Sequence, residues 1–124
     1  MLGSWFSSNP LEDLQWKHRL ILVAGPSNSV QNQIKQLQVF SSELEDRDLL
    51  VFNLNNSVQS SPYGDIYSED VLSYFHLERE RFVVMLIGKD GGTKVKSSTP
   101  LTPEKLFATI DGMPMRRAEM RRSN

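Results

Sequence analysis

The run Phe82-Val-Val-Met-Leu-Ile-Gly-Lys-Asp-Gly-Gly-Thr-Lys-Val-Lys-Ser97 leaves this chain little choice of fold. Its first six residues are all apolar and mostly β-favouring, as expected of a strand buried on both faces. Lys89-Asp-Gly-Gly92 reads as a tight turn, because Asp-Gly and Gly-Gly supply the positive φ angles a hairpin needs. Thr93-Lys-Val-Lys96 alternates, as a half-exposed return strand does. A central strand therefore turns back into an edge strand, and the other elements must pack around that pair.

Arg19-Leu-Ile-Leu-Val-Ala24 is a second apolar strand, stopped by Gly25-Pro26. Ser27 or Ser29 is expected to cap a helix in which Val30, Ile34, Leu37 and Leu44 recur at helical spacing. Gln31, Gln33, Lys35, Gln36 and Gln38 turn outward in that reading, and Glu43 to Asp48 is the polar exit. Leu49-Leu-Val-Phe52 is a third strand, and residues 53–67 follow as a long loop without pattern. Ser68-Glu-Asp70 opens a short helix through Phe75. Thr102-Pro-Glu104 starts the last regular helix, with Leu106, Phe107 and Ile110 on its apolar face and Gly112 and Pro114 at its end. The order is β-α-β-(loop)-α-β-β-α. Two apolar strands joined by a helix imply a parallel, right-handed βαβ unit, to which the hairpin adds an antiparallel pair. The expected fold is α/β and thioredoxin-like, a central mixed sheet flanked by helices. One such domain over 11–122 would follow a flexible segment over 1–10, with Trp5, Phe6 and Trp16 used in packing.

Chemistry is narrowed first by an absence. The chain has no cysteine, which removes disulfides, thiolate catalysis and cysteine-bound metal clusters. No apolar run reaches the ~20 residues of a membrane span. Met1 to Pro10 has no basic region and too short an apolar stretch for a signal peptide, so the chain is expected to be cytoplasmic or to begin after processing. Residues 1–80 carry 5 basic and 11 acidic side chains, and residues 81–124 carry 9 and 4. That asymmetry suits either an anionic partner or two halves that complement each other within one fold.

Three segments carry a family resemblance: Leu14-Gln-Trp-Lys-His-Arg-Leu-Ile-Leu22, Leu86-Ile-Gly-Lys-Asp-Gly-Gly-Thr-Lys-Val95 and Phe107-Ala-Thr-Ile-Asp-Gly-Met-Pro-Met-Arg-Arg-Ala-Glu-Met-Arg121. They resemble an uncharacterised thioredoxin-like domain family of unknown function. It is shared by bacterial single-domain proteins, sushi-repeat-containing proteins and coiled-coil domain-containing protein 80. The resemblance implies the fold and, as an alternative to the cytoplasm, a secreted or periplasmic setting; it implies no activity. Thioredoxins carry Cys-x-x-Cys at the first βα turn, where this chain has Gly25-Pro26-Ser27-Asn28. They also place a cis-proline before the central antiparallel strand, where this chain has Arg81. Thiol–disulfide exchange is therefore excluded.

Two candidate sites remain. Gly25, Pro26, Ser27 and Asn28, with Arg81, could hold a carboxylate, phosphate or peptide end at a helix N-terminus, although serine there ordinarily just caps the helix. Lys89, Arg116, Arg117, Arg121 and Arg122 could form a basic rim, with Met113 and Met115 packed beneath the hairpin. The competing reading has those arginines pairing internally with Asp90 and Asp111. Gly88 to Thr93 is a hairpin turn and not a phosphate loop, since Lys-Ser/Thr does not follow the second glycine. His18 and His76 have no carboxylate spacing of a metal site, Glu78 and Glu80 read as solvated, and no serine sits in a nucleophile motif. The expectation is a non-catalytic module with no cofactor and no metal, binding a protein, peptide or anionic partner and no specific nucleic acid. The alternatives are a peroxiredoxin-related or other enzyme of non-thiol chemistry, and a polyanion- or matrix-binding protein acting through its basic C-terminal segment.

Overall fold

The computed structural model describes residues 8–123. A 3-10 turn over Glu12–Leu14 leads into β1 (Arg19–Ala24), α1 (Ser27–Gln38), α2 (Ser41–Asp46) and β2 (Leu49–Asn53). Then come β3 (Val58–Gln59), β4 (Ile66–Tyr67), α3 (Ser68–Tyr74), β5 (Val83–Ile87), β6 (Thr93–Ser97), α4 (Pro103–Asp111) and α5 (Pro114–Ser123). The main sheet has the order β2-β1-β5-β6, with β1 parallel to β2 and antiparallel to β5, and β5 antiparallel to β6. It is a mixed sheet flanked by helices.

The two central strands explain the two cores. Every residue of β1 and β5 is buried, and alternate side chains go to opposite faces. Leu20, Leu22, Val83, Met85 and Ile87 meet Leu14, Phe52, Val71 and Leu72 on one side. Ile21, Val23, Val84 and Leu86 meet Val30, Leu37, Leu106 and Ile110 on the other. With both faces apolar, alternation cannot set the register, so the turn must. Gly91 adopts φ +85°, the Gly88 N–H donates to the Gly92 carbonyl at 2.9 Å, and the Gly92 N–H donates to Asp90 Oδ1 at 2.9 Å.

Several local expectations give way to long-range contacts. The helix after β1 stops at Gln38 and restarts as α2, because Phe40 leaves helical geometry and sets its ring edge-on to Phe107 at 5.9 Å. Gln33 does not face solvent. Its amide bridges the backbone of Leu101, Nε2 donating to the carbonyl at 2.9 Å and Oε1 accepting from the N–H at 2.7 Å. Residues 53–67 contain the β3–β4 hairpin, held where Gln59 Nε2 donates to the Asn53 carbonyl at 2.6 Å and to Ser68 Oγ at 2.9 Å. Trp16 is not a packing residue: it is 61% exposed at φ +70°. Trp5 and Phe6 lie outside the described residues, as does most of the expected segment 1–10.

Candidate functional site

At one end of the sheet β1 leaves at Gly25, whose φ of +131° glycine alone adopts without strain. A Cβ there would lie 2.5 Å from the Phe82 Cα and 3.0 Å from the Arg81 carbonyl carbon. Glycine thus lets the exit of one central strand touch the approach to the other. Asn55 clamps this turn from the β2 side, Nδ2 donating to the Gly25 carbonyl at 2.8 Å and Oδ1 accepting from its N–H at 3.4 Å. The expected serine cap is not made. The capping position of α1 falls on Pro26, which has no side-chain acceptor, and Ser27 Oγ accepts instead from Gln31 Nε2 at 3.1 Å. Pro26, Ser27 and Asn28 are exposed. So is Arg81, which sits 3.7 Å from Glu78 and lines an open groove of about 450 Å³ with Phe82, Lys96 and Ser98. Gly25 and Arg81 thus meet at one backbone contact, and the exposed Pro26, Ser27 and Asn28 follow Gly25 in the chain.

The opposite end is built from side-chain charge. Arg19, wholly buried, holds both oxygens of Glu119 at 3.0 and 3.1 Å and donates to the Arg47 carbonyl at 3.0 Å. Lys89, 8% exposed, reaches Glu119 at 2.8 Å and Asp48 at 2.7 Å. Arg116, 5% exposed, reaches Asp46 at 2.6 Å and Asp111 at 3.1 Å, and Arg47 takes Asp111 bidentately at 3.0 and 2.8 Å. Four cations and four carboxylates form one connected network. The basic rim expected from sequence is thus divided. Lys89 and Arg116 are inside, because carboxylates of α2, the α2–β2 turn, α4 and α5 converge on them, while Arg117, Arg121 and Arg122 are exposed. Asp90 pairs with Lys94 at 2.8 Å and not with an arginine. Met113 packs against the core cluster that includes Val84 and Leu86 of the hairpin, whereas Met115 is exposed and does not pack beneath it as expected.

The network sets its own protonation. Burial pushes the Glu119 carboxyl up, but hydrogen bonds from Arg19 and Lys89 outweigh it and hold the group below its ordinary value. Asp111 behaves alike under Arg47 and Arg116. Burial pulls the Arg116 guanidinium down, and Asp46 and Asp111 raise it above its ordinary value. Among the described residues no three histidine or carboxylate side chains converge as metal ligands, and no helix is long and apolar enough to cross a membrane.

Residues 10–119 match the family described as "Domain of unknown function (DUF4174)". The chain belongs to this family. Among curated proteins, the DUF4174 chain is 26% identical to "Coiled-coil domain-containing protein 80" of Danio rerio, over 90% of this chain and 16% of that protein. It is 26% identical to "Sushi repeat-containing protein SRPX2" of Bos taurus, over 82% of this chain and 24% of that protein. The chain therefore spans a quarter or less of these relatives. No solved structure matches it.

Sequence reasoning missed Arg19, Arg47 and Glu119, the centre of the DUF4174 network. An arginine opening a wholly apolar strand was the available signal, since a charge in that place needs a partner once buried. Arg116 and Glu119 one helical turn apart were the second, because such spacing puts both on one face of α5. Neither signal names the partner, which lies 100 positions away for Arg19.

Proposed function

We propose that this is a thioredoxin-like, non-catalytic binding module that holds an extended peptide at the end of the sheet formed by Gly25–Asn28 and Arg81. The carrying observation is the contact between Gly25 and Arg81–Phe82, which sets the first βα turn against the approach to the central antiparallel strand. The strand order β2-β1-β5-β6, with a parallel first pair and an antiparallel hairpin, supports the thioredoxin-like reading. In this reading the turn works without sulfur: Pro26 and Ser27 occupy it, and Ser27 accepts from Gln31. An extended backbone along the groove would meet the exposed Arg81 and the outer side of β6, a mode in which main-chain hydrogen bonds give affinity. The test is a ¹H–¹⁵N titration of the purified protein with a degenerate hexapeptide mixture. Shifts are expected at Gly25, Ser27, Asn28, Arg81 and Phe82. No shifts at millimolar peptide, or shifts confined to other faces, would overturn the reading.

A second reading rests on a separate observation. Among the described residues Arg117, Arg121 and Arg122 lie outside every ion pair, on the outward side of α5. Three exposed guanidinium groups on one short helix suit a polyanion such as a sulfated glycan. The triple variant R117Q/R121Q/R122Q should leave heparin at distinctly lower salt than wild type. Equal elution would remove this reading and leave the first untouched.

A further inference from the structure

We infer that Arg19 and Lys89 form a carboxylate-binding site that the chain's own Glu119 fills, making α5 a tethered occupant that an external carboxylate can replace. The receptor half is rigid. Arg19 opens β1, where it pairs with Leu49 of β2, and Lys89 follows Ile87 and Gly88 out of β5. The two central strands thus place both backbones, and apart from Glu119 the Arg19 side chain donates to the Arg47 carbonyl at 3.0 Å and Lys89 to Asp48 at 2.7 Å, so each has a partner outside α5. Arg19 directs two nitrogens at Glu119, Nη1 at 3.0 Å and Nη2 at 3.1 Å, and Lys89 Nζ approaches the second oxygen at 2.8 Å. This is the forked, charge-assisted geometry by which proteins hold carboxylates. Arg19 Nε is buried and has no hydrogen-bond partner, so the receptor retains donor capacity beyond what Glu119 uses.

The occupant half is different in kind. Of the described side chains of α5 the most buried is Arg116, whose partners outside the helix are Asp46 and Asp111. Ala118 and Met120 are only half-buried. The helix is thus attached by charge more than by apolar surface, and ionic contacts can be exchanged for equivalent ones without opening a core. Glu119 wins this exchange in the intact chain because its tether gives it an effective concentration on the order of millimolar or more. Removing its carboxylate should expose the preference of the site for that group.

The experiment is thermal unfolding of full-length Glu119→Ala in sodium acetate against sodium chloride at equal ionic strength and neutral pH. The variant should melt about 10 °C below wild type, as expected when a buried charge pair loses one partner. Acetate should raise its Tm above the chloride value by about 2 °C or more, and should not do so for wild type. Adding Lys89→Met to Glu119→Ala should abolish the acetate-specific rise. Equal melting in the two salts, or a rise that survives Lys89→Met, would overturn the inference. Should Glu119→Ala fail to fold, Glu119→Ser removes the charge and still leaves room for acetate beside Arg19 and Lys89. The same acetate-specific rise is expected there, and its absence counts against the site in the same way.

Discussion

The two ends of the sheet solve opposite problems. At the Gly25 end the chain brings backbone against backbone, at a distance no Cβ would permit, and leaves its polar groups facing water. At the Arg19 end it buries three cationic side chains and surrounds them with carboxylates drawn from three helices and the α2–β2 turn. The first end is fixed by shape and open to a ligand. The second is fixed by charge and already occupied by the chain itself. A surface arginine has different meanings at the two ends: Arg81 lines a groove with one distant partner, whereas Arg116 is a structural bolt.

The sharpest way to break the comparison is to give the Gly25 end a side chain. Gly25→Ala combines a left-handed φ with a Cβ pressed on the Phe82 backbone, and neither can be relieved by a rotamer change. A loss of at least about 3 kcal/mol in urea unfolding is expected, because strain and overlap add. A loss below about 1 kcal/mol would mean the two strands do not touch there. At the other end Arg19→Met should cost about 3 kcal/mol, since it leaves Glu119 with one strong partner fewer in a buried place. The double change R19M/E119L should cost less than the sum of its parts by about 1 kcal/mol or more. Additive losses would show that the pair is not coupled.

What could be read from the residues follows the same division. The sheet, the hairpin and the α4 boundaries were legible because each depends on neighbours in sequence. Six apolar residues in a row make a buried strand, Asp-Gly-Gly makes a turn, and Thr102 does accept from the Lys105 N–H at 3.2 Å as a cap should. Long-range contacts were not legible. Gln33 looked like a solvent-facing glutamine until the Leu101 backbone, 68 positions on, claimed its amide. Lys89 and Arg116 looked like a rim because a string of cations carries no record of the carboxylates that fold onto it. The Gly25 turn follows from its Gly-Pro pair, yet the expected serine cap is absent, because the cap position falls on Pro26, which has no side-chain acceptor.

Acid should separate the two ends by a smaller amount. Glu119 and Asp111 hold their protons more weakly in the folded chain than in the unfolded one, so their contribution is complete above the unfolded values near 4.5 and 3.8. It disappears as pH falls through the lower folded values. Stability measured in urea should therefore drop below about pH 4.5, and R19M/E119L should show a shallower drop. An equal slope in both proteins would place the acid sensitivity elsewhere.

The smallest effect tests whether the Gly25 end has a clamp of its own. Asn55 makes a two-way amide contact with Gly25, and Asn55→Ala removes both of those hydrogen bonds. Both hydrogen bonds are only part-buried, and their loss is expected to cost about 1 kcal/mol. The informative readout is local. Amide exchange should quicken at Gly25 and Leu54, whose N–H donates to the Val23 carbonyl at 2.8 Å, while the Arg19 end keeps its wild-type protection. If exchange quickened equally at both ends, they would belong to one cooperative unit. The contrast between an open end held by backbone and a filled end held by charge would then be a difference of composition without independent mechanical meaning.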